Sequence, residues 1–361
     1  MKKPVALAID AGFGMTKFSR RVDGAIVFDA FPSVALDAPP TADGSSLASI
    51  GGHRDVLEVS YAGRRYLAGR DVRAEVIGND FGRDMTDAYY DSPVYHALMR
   101  AALAYMGERK IDTLCLGLPL NHHNTSGRAE KLADAYTGKI ELGENHGSVE
   151  IGKVVVQPQP FGAFVGLGKR WNLLNPTLAA AKIDEIEKPA DLKNLTILIV
   201  DPGEFTLDWL LMQKGVPLMK ASNAIGDAGR HRIIREVHKA VQEEFGHPLG
   251  TSYYSDIDLA LRTGKKMRVR NQIYDLQTER FQSVIRAAIA DPVRQMLEGL
   301  RGADDRIDLV VVMGGAPEYV AAEIKKERPW LAVYWDNQKQ GNEASIFGNL
   351  SGFQIWAEAN T

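Results

Sequence analysis

Cysteine is almost absent: one residue, Cys115, in a chain of 361. A single cysteine cannot close an internal disulfide, and its place in the apolar run Leu114 to Leu118 marks it as a small core residue. The cytoplasm is the expected location. Long hydrophobic runs are missing too: no apolar stretch approaches the length needed to span a bilayer, so no membrane partner is expected. The opening Met1-Lys-Lys-Pro4 leads directly into a short strand that Asp10 interrupts, too soon for a signal peptide. An excess of charge of one sign is also lacking. Lys and Arg number 43 against 46 Asp and Glu, a formal net charge of -3, so direct nucleic-acid binding is not expected. One short basic stretch, Lys265-Lys266-Met-Arg268-Val-Arg270, reads first as a solvated hairpin or loop and only second as a partner or phosphate contact.

The composition that is present, 45% hydrophobic and 25% charged, is that of an ordinary globular protein, and the length suffices for two domains with separate cores. Thr16 to Arg20 and Ile26 to Phe31 predict a hairpin turning at Val22-Asp-Gly24, and 56–66 predicts another with its tip at Ala62-Gly63-Arg64. Leu36 to Arg54, rich in Pro, Gly, Ser and Asp, reads as an exposed loop. Apolar spacing predicts helices over 93–106, 229–244 and 277–297, and strands over 111–118, 149–157 and 307–313. A helix is expected from Phe161 after a double proline break, and another from Glu318. Trp171 to Lys193 reads as a crossover between halves. Strands alternating with helices argue an α/β fold.

Two short loops stand out. Asp10-Ala-Gly12-Phe13-Gly14-Met15-Thr-Lys17 follows the apolar run Val5 to Ile9. Asp201-Pro-Gly203-Glu204-Phe205-Thr206-Leu-Asp208 follows Leu195 to Val200. In each, a buried strand stops at an aspartate, turns through glycine and enters a further strand. A dinucleotide-binding domain is excluded, because its glycine turn has a different spacing and opens a helix. An Asp-x-Gly turn bares backbone N–H groups that phosphate oxygens can approach. Asp10 and Asp201 would repel phosphates directly, but a hydrated Mg²⁺ between carboxylate and phosphate resolves that repulsion. Lys17 supplies a compact positive charge. A plain β-turn is the competing reading for either loop alone; the pair, each at the end of an apolar strand, favours phosphate binding.

Two further segments extend the pattern. Leu309 to Met313 ends in Gly314-Gly315, where a ring or sugar could pack against bare backbone. Gln157-Pro-Gln159-Pro-Phe161 places two glutamines near a strand end. Gln159, fixed between prolines, could orient an attacking water at a γ-phosphate; Gln157 is the competing candidate, and a surface loop remains open for both. His122 and His123 are adjacent and lack a spaced cysteine or acid to complete a zinc set, so an exposed loop is expected there. Trp335 and Trp356 are read as packing residues.

These elements, in this order, resemble the superfamily of actin, the heat-shock chaperones and the sugar kinases. A fifth segment, Ser345-Ile-Phe-Gly348-Asn349-Leu-Ser-Gly352-Phe353, resembles its second connecting motif. The first loop is especially similar to the actin phosphate loop. The second resembles the plasmid-segregation actins of the ParM/StbA type, as do Gly117-Leu-Pro119, Asn223-Ala-Ile-Gly226-Asp227 and Leu261-Arg-Thr-Gly264-Lys265. The wording through Trp209 is similar to that of plasmid-borne members. The likeness covers essentially the whole chain.

The resemblance implies duplicated actin-like (ribonuclease H-like) α/β domains with a nucleotide cleft between them. Domain I would span 1–178, with an inserted subdomain at about 32–95; domain II would span 195–340, and 341–361 would return to domain I. It implies ATP (or GTP) and Mg²⁺ as ligands, with magnesium near Asp10 and Asp201. Phosphate contacts would come from Gly12, Phe13, Gly14, Met15 and Lys17 and from Gly203, Glu204, Phe205 and Thr206. Nucleoside contacts would come from Gly226, Gly314 and Gly315, and hydrolysis would use Gln159. Glu204 departs from the small neutral residue common at its position; a carboxylate facing phosphates would repel them, so it is expected to point away.

The function that follows is a filament-forming ATPase that positions DNA, above all plasmid DNA, through a DNA-binding adaptor. Self-association is the first partner expected. A small-molecule kinase on the same fold would need a carboxylate base and an acceptor pocket, and no motif supplies them. A chaperone is disfavoured because little chain follows the last motif. A nucleotide-binding scaffold with little hydrolysis remains as an alternative, because of Glu204.

Overall fold

A computed structural model describes residues 4–39, 54–75, 88–183, 186–300, 302–337 and 345–361. The chain divides into two compact units: Met1–Leu118 with Thr125–Gln157 and Phe353–Thr361, and Pro119–Asn124 with Pro158–Gly352.

In the first unit, β1 (Ala6–Ala11), β2 (Met15–Val22) and β3 (Ala25–Pro32) form an antiparallel meander. A smaller three-stranded sheet follows, made of β4 (Ala35–Asp37), β5 (Leu57–Tyr61) and β6 (Arg64–Ala68). Next come helix α1 (Pro93–Met106) and strand β7 (Lys110–Leu118), then short helix α2 (Leu120–His123), which belongs to the second unit, and, back in the first, α3 (Arg128–Tyr136), β8 (Gly138–Gly143) and β9 (Gly147–Pro158). The large sheet has the order β3-β2-β1-β7-β9-β8, with β1 parallel to β7. Every residue of β1 is buried, as its unbroken apolar run requires.

Both expected hairpins form, each closed by the two residues the sequence marked, Asp23-Gly24 and Ala62-Gly63. Helix α1 occupies the predicted span because both ends carry chemical stops. The Ser92 side chain accepts from the Tyr95 amide, Pro93 fits the first turn, and Gly107 closes the far end in the left-handed region. Residues 40–53, most of the expected exposed loop, lie outside the described residues, as do 76–87 within the expected inserted subdomain.

The second unit contains helix α4 (Gln159–Gly166), helix α5 (Trp171–Ala180), β10 (Thr196–Pro202), β11 (Leu207–Gln213), β12 (Val216–Pro217) and β13 (Asn223–Ile225). Then come α6 (Arg230–Phe245), α7 (Tyr254–Thr263), the hairpin β14 (Met267–Val269) and β15 (Gln272–Tyr274), α8 (Glu279–Gly299), β16 (Leu309–Val312), α9 (Pro317–Glu327), β17 (Val333–Trp335) and α10 (Gly348–Ala359). Helix α10 crosses the division between units after Gly352. The sheet order is β12-β11-β10-β16-β17, again an antiparallel hairpin followed by a central strand parallel to its next neighbour. This repeats the β3-β2-β1-β7 arrangement of the first unit. The fold is therefore α/β and internally duplicated.

The structure departs from the sequence reading in several places. Helix α4 begins at Gln159, not Phe161, because Pro160 belongs in a first helical turn instead of breaking it. The crossover contains a helix, α5. Residues 158–178, expected with the first half, lie in the second unit: Ala163, Leu167, Leu174 and Leu178 share a buried cluster with Ile197, Ile199 and Leu210. His122 is buried, so the exposed-loop reading fails for it. Trp335 is packed only in part: it is 38% exposed, with the Lys325 ammonium 5.1 Å from its ring centroid. The basic stretch does form a hairpin, with Arg268 and Arg270 exposed. Cys115 is buried, which pushes its thiol pKa up and leaves it inert. No helix among the described residues is long and apolar enough to cross a membrane.

One packing detail makes a pH prediction. His96 on α1 stacks on Tyr61 and its Nδ1 lies 2.8 Å from the Tyr136 hydroxyl. Burial, aided by the nearby Arg100 charge, lowers its pKa from 6.5 to about 4. Between these values the unfolded chain binds the extra proton and the folded chain does not. The contribution of neutral His96 is complete above about pH 6.5 and is lost progressively as the pH falls towards 4. Urea midpoints at pH 7 and pH 5 should differ less in His96→Gln than in the wild type.

Candidate phosphate-binding turns

In the first unit, Asp10 is the penultimate residue of β1 and pairs across the hairpin with Lys17 of β2. Directly opposed residues of an antiparallel pair share a face. Lys17 Nζ accordingly donates to Asp10 Oδ2 at 2.5 Å, and the aspartate is fully buried. Between them the chain turns with the Gly12 N–H donating to the Met15 carbonyl at 3.2 Å. Phe13 is buried, with its ring stacked on Tyr89 at 4.8 Å, so only its main chain is available as a contact. Gly12, Met15 and Lys17 are half-buried and Gly14 is buried.

In the second unit, Asp201 and Asp208 are likewise paired across β10 and β11. Asp208 is buried and accepts the Leu120 N–H at 2.9 Å, which ties α2 to this sheet. The Gly203 N–H donates to the Thr206 carbonyl at 2.9 Å. Helix α6 starts at Gly229 with no side-chain cap. Its first amides are satisfied by the loop instead. Arg230 N–H donates to the Gly203 carbonyl (2.9 Å), His231 N–H to Glu204 (2.7 Å), and both Ala228 and Gly229 N–H to Phe205 (3.0 Å). Those helix amides are therefore engaged by the loop. Each trans peptide sets its carbonyl opposite the next N–H, so holding three carbonyls towards α6 turns the Glu204, Phe205 and Thr206 amides the other way. Glu204 is half-buried, and Thr206 is buried.

Gly314 and Gly315 follow β16, which lies beside β10. The Gly315 N–H donates to the Pro202 carbonyl at 2.6 Å. Gly314 has φ +141, and a Cβ there would lie on the Asp201 Oδ1 and 2.9 Å from the Pro202 carbonyl. The second glycine motif is thus the bare wall beside the Asp201 carboxylate. Gly226 lies beside the Phe205 ring, 3.5 Å from where its Cβ would stand.

Asn349, at the second residue of α10, donates from Nδ2 to Asp201 Oδ2 at 2.6 Å, both side chains being buried. Its position depends on a helix crossing made of glycine. A Cβ on Gly352 would collide with the main chain of Gly162 in α4, and one on Gly166 would approach Gly348 at 3.3 Å. Gly162 and Gly166 meet Gly348 and Gly352, each pair four residues apart on one helical face. Gln159 is the first residue of α4 and is 8% exposed; Gln157 is the penultimate residue of β9.

The structure thus brings together the predicted residues of each turn, and in the second unit adds Gly226, Gly314 and Gly315 to the Asp201 turn. Sequence reading placed Asn349 in the second connecting motif but missed its bond to Asp201, and it missed Ser33 and Tyr89, whose hydroxyls donate to the Gly12 carbonyl. Each acts on a residue distant in the chain. Among the described residues no group of three or more His, Cys, Asp or Glu gathers.

A family model described as the actin-like protein N-terminal domain matches residues 8–162. A second, the C-terminal domain of archaeal MreB-like actin homologues, matches residues 199–326. The chain belongs to the actin-like proteins. Solved structures agree on the fold of this actin-like protein. The archaeal actin homologue Ta0583 is similar at a TM-score of 0.70 and 19% identity, over 98% of this chain and 99% of that one. The apo pSK41 ParM protein matches with a TM-score of 0.63 and 15% identity, over 99% and 98%. A ParM from a 15-stranded Clostridium botulinum filament matches at 0.66 and 17%, over 99% and 100%. No curated protein matches the chain in sequence. At these identities the likeness shows the fold, and the ligand must be argued from the turns themselves.

Proposed function

We propose that this actin-like protein binds ATP, with GTP as the alternative, polymerises in that state and hydrolyses the nucleotide. The observation that carries the reading is the repeated turn: an aspartate ending a central strand, with the next loop's carbonyls held so that its amides turn outward. Phosphates would be held by main-chain amides of 12–15 and 203–206 and by Lys17. Gly226, Gly314 and Gly315 would accept the nucleoside, and Gln159 would orient the attacking water. Asp10 and Asp201 would hold magnesium through its water shell. Two aspartates suit an ion that keeps most of its waters and takes few protein ligands. When bound, the ion neutralises phosphate charge and stabilises the transferring group.

A solved complex of Ta0583 with ADP and the ParM filament support nucleotide binding and self-association here. The cargo is proposed to be DNA, plasmid DNA in the first instance, held through an adaptor because a net charge of -3 gives little attraction for nucleic acid. Glu204 keeps a second reading open, a scaffold that binds nucleotide and hydrolyses little.

Right-angle light scattering with Mg-ATP, followed together with phosphate release, tests both. Scattering that rises on ATP addition and decays as phosphate appears is the expected result. Scattering that rises and persists without phosphate release selects the scaffold. No scattering at any concentration, with phosphate passed to a small acceptor, would sink both and select the kinase.

A further inference from the structure

In the first turn side-chain hydroxyls, and not helix amides, fix the Gly12 carbonyl among the described residues. The Gly12 carbonyl accepts two hydroxyls: Ser33 Oγ at 2.6 Å and the Tyr89 hydroxyl at 3.1 Å. A carbonyl oxygen has two lone pairs, and here both are engaged. The Ser33 hydroxyl in turn lies 3.0 Å from the Thr16 hydroxyl, and its backbone N–H donates to the Gly14 carbonyl at 3.1 Å. With Ser33 donating to Gly12, the proton of the Thr16–Ser33 contact must come from Thr16. The relay therefore runs from Thr16 through Ser33 to the Gly12 carbonyl, which Tyr89 meets as well. Thr16 and Ser33 are buried.

One bond would satisfy a buried carbonyl; two, from distant segments, set its direction. The Gly12 carbonyl and the Phe13 N–H belong to one planar peptide and point oppositely. Fixing the carbonyl fixes the amide. The Phe13 side chain adds a second constraint on the same peptide, stacked on Tyr89 at 4.8 Å and edge-on to Tyr90 at 5.5 Å. Tyr89 thus holds both ends of this unit, its ring against the Phe13 ring and its hydroxyl on the Gly12 carbonyl. In the second unit, the main-chain amides of Ala228, Gly229 and the first two residues of α6 do the equivalent work for Gly203, Glu204 and Phe205.

We infer that Ser33 and Tyr89 are positioning residues of the first phosphate turn, aiming the Phe13 amide for a nucleotide phosphate. This rests on the nucleotide-binding reading above. Neither residue touches the ligand; both act through the Gly12 peptide. The hydroxyls, and not the bulk of the side chains, carry the effect.

The test is titration of a fluorescent ATP analogue with Mg²⁺ against purified full-length protein, with the ligand-free melting temperature of each variant measured alongside. Tyr89→Phe keeps the ring stack and removes one hydroxyl; its Kd should rise about three- to tenfold. Ser33→Ala should weaken binding at least as much, and Ser33→Thr, which restores a hydroxyl, should recover most of the loss. Tyr90→Phe changes the same ring cluster without acting on the Gly12 carbonyl, and its Kd should stay within twofold of wild type. Melting of ligand-free Tyr89→Phe should match that of Tyr90→Phe. An unchanged Kd in both Tyr89→Phe and Ser33→Ala overturns the inference. So does a Kd change shared equally by Tyr90→Phe, which would mean a structural role only. A wild-type protein that fails to bind the analogue refutes instead the nucleotide-binding reading.

Discussion

Replacing Asp201 by alanine is expected to reduce Mg-ATP hydrolysis by on the order of a thousandfold, about 4 kcal/mol of transition-state stabilisation. It should also remove the ATP-dependent rise in scattering. The carboxylate stands at the meeting point of three elements. It is the penultimate residue of β10, takes the Asn349 amide at 2.6 Å, and faces Gly314, where no side chain could stand. Alanine would also leave the buried Asn349 Nδ2 without this acceptor, so part of the effect could come from instability. Asp201→Asn separates the two. It preserves shape and an acceptor oxygen but carries no charge. Its melting temperature should stay within about 2 °C of wild type, a change worth under about 1 kcal/mol, while turnover falls as in the alanine variant. Unaltered turnover in Asp201→Asn would refute the assignment of metal and phosphate chemistry to this residue.

The second large effect is one of packing. Gly352→Ala is expected to destabilise the protein by about 3 kcal/mol or more, because the added methyl meets main-chain atoms that no rotamer change can move. The new Cβ would stand 2.6 Å from the Gly162 carbonyl carbon and 2.9 Å from its Cα, nearer still to its carbonyl oxygen. On an isolated helix the same change stabilises by about 1 kcal/mol, so the sign of the result reveals the close approach. A fall in melting temperature of roughly 10 °C corresponds to this penalty in a unit of this size. Gly246→Ala is the comparison. That glycine caps α6 at φ +79 with nothing within 4 Å of an added methyl, so it should cost only about 1 kcal/mol. If Gly352→Ala is as stable as wild type, the crossing of α4 and α10 is looser than these contacts require. Because that crossing carries Asn349 to Asp201, the variant should lose nucleotide turnover as well as stability.

Local chemistry in the sequence was enough for the elements that depend on neighbours. Helix α1 came out as predicted because Ser92, Pro93 and Gly107 mark both of its ends. The hairpins at Asp23-Gly24 and Ala62-Gly63 formed because two-residue turns need the glycine found there. Asp10 and Asp201 could be placed at strand ends because an apolar run stops at each. Where a local signal had two meanings the reading slipped: Pro160 looked like a break and proved to be the start of α4. His122 looked solvent-exposed because burial depends on what packs over a residue, and adjacent residues in sequence do not reveal that.

By itself, then, the sequence determined the α/β plan and the two Asp-Gly turns, set by short-range hydrophobic pattern and turn chemistry, while the order and wording of its motifs carried the resemblance to the actin-like family. Only the tertiary structure decided what aims those turns. Ser33 and Tyr89 reach the Gly12 carbonyl, the amides of 228–231 at the start of α6 hold the Gly203–Phe205 loop, and Asn349 crosses 148 residues of chain to reach Asp201. Each of these is a hydrogen bond between segments distant in the chain. A buried carbonyl or carboxylate must find a partner, but the sequence does not say which one, because the choice is made by packing.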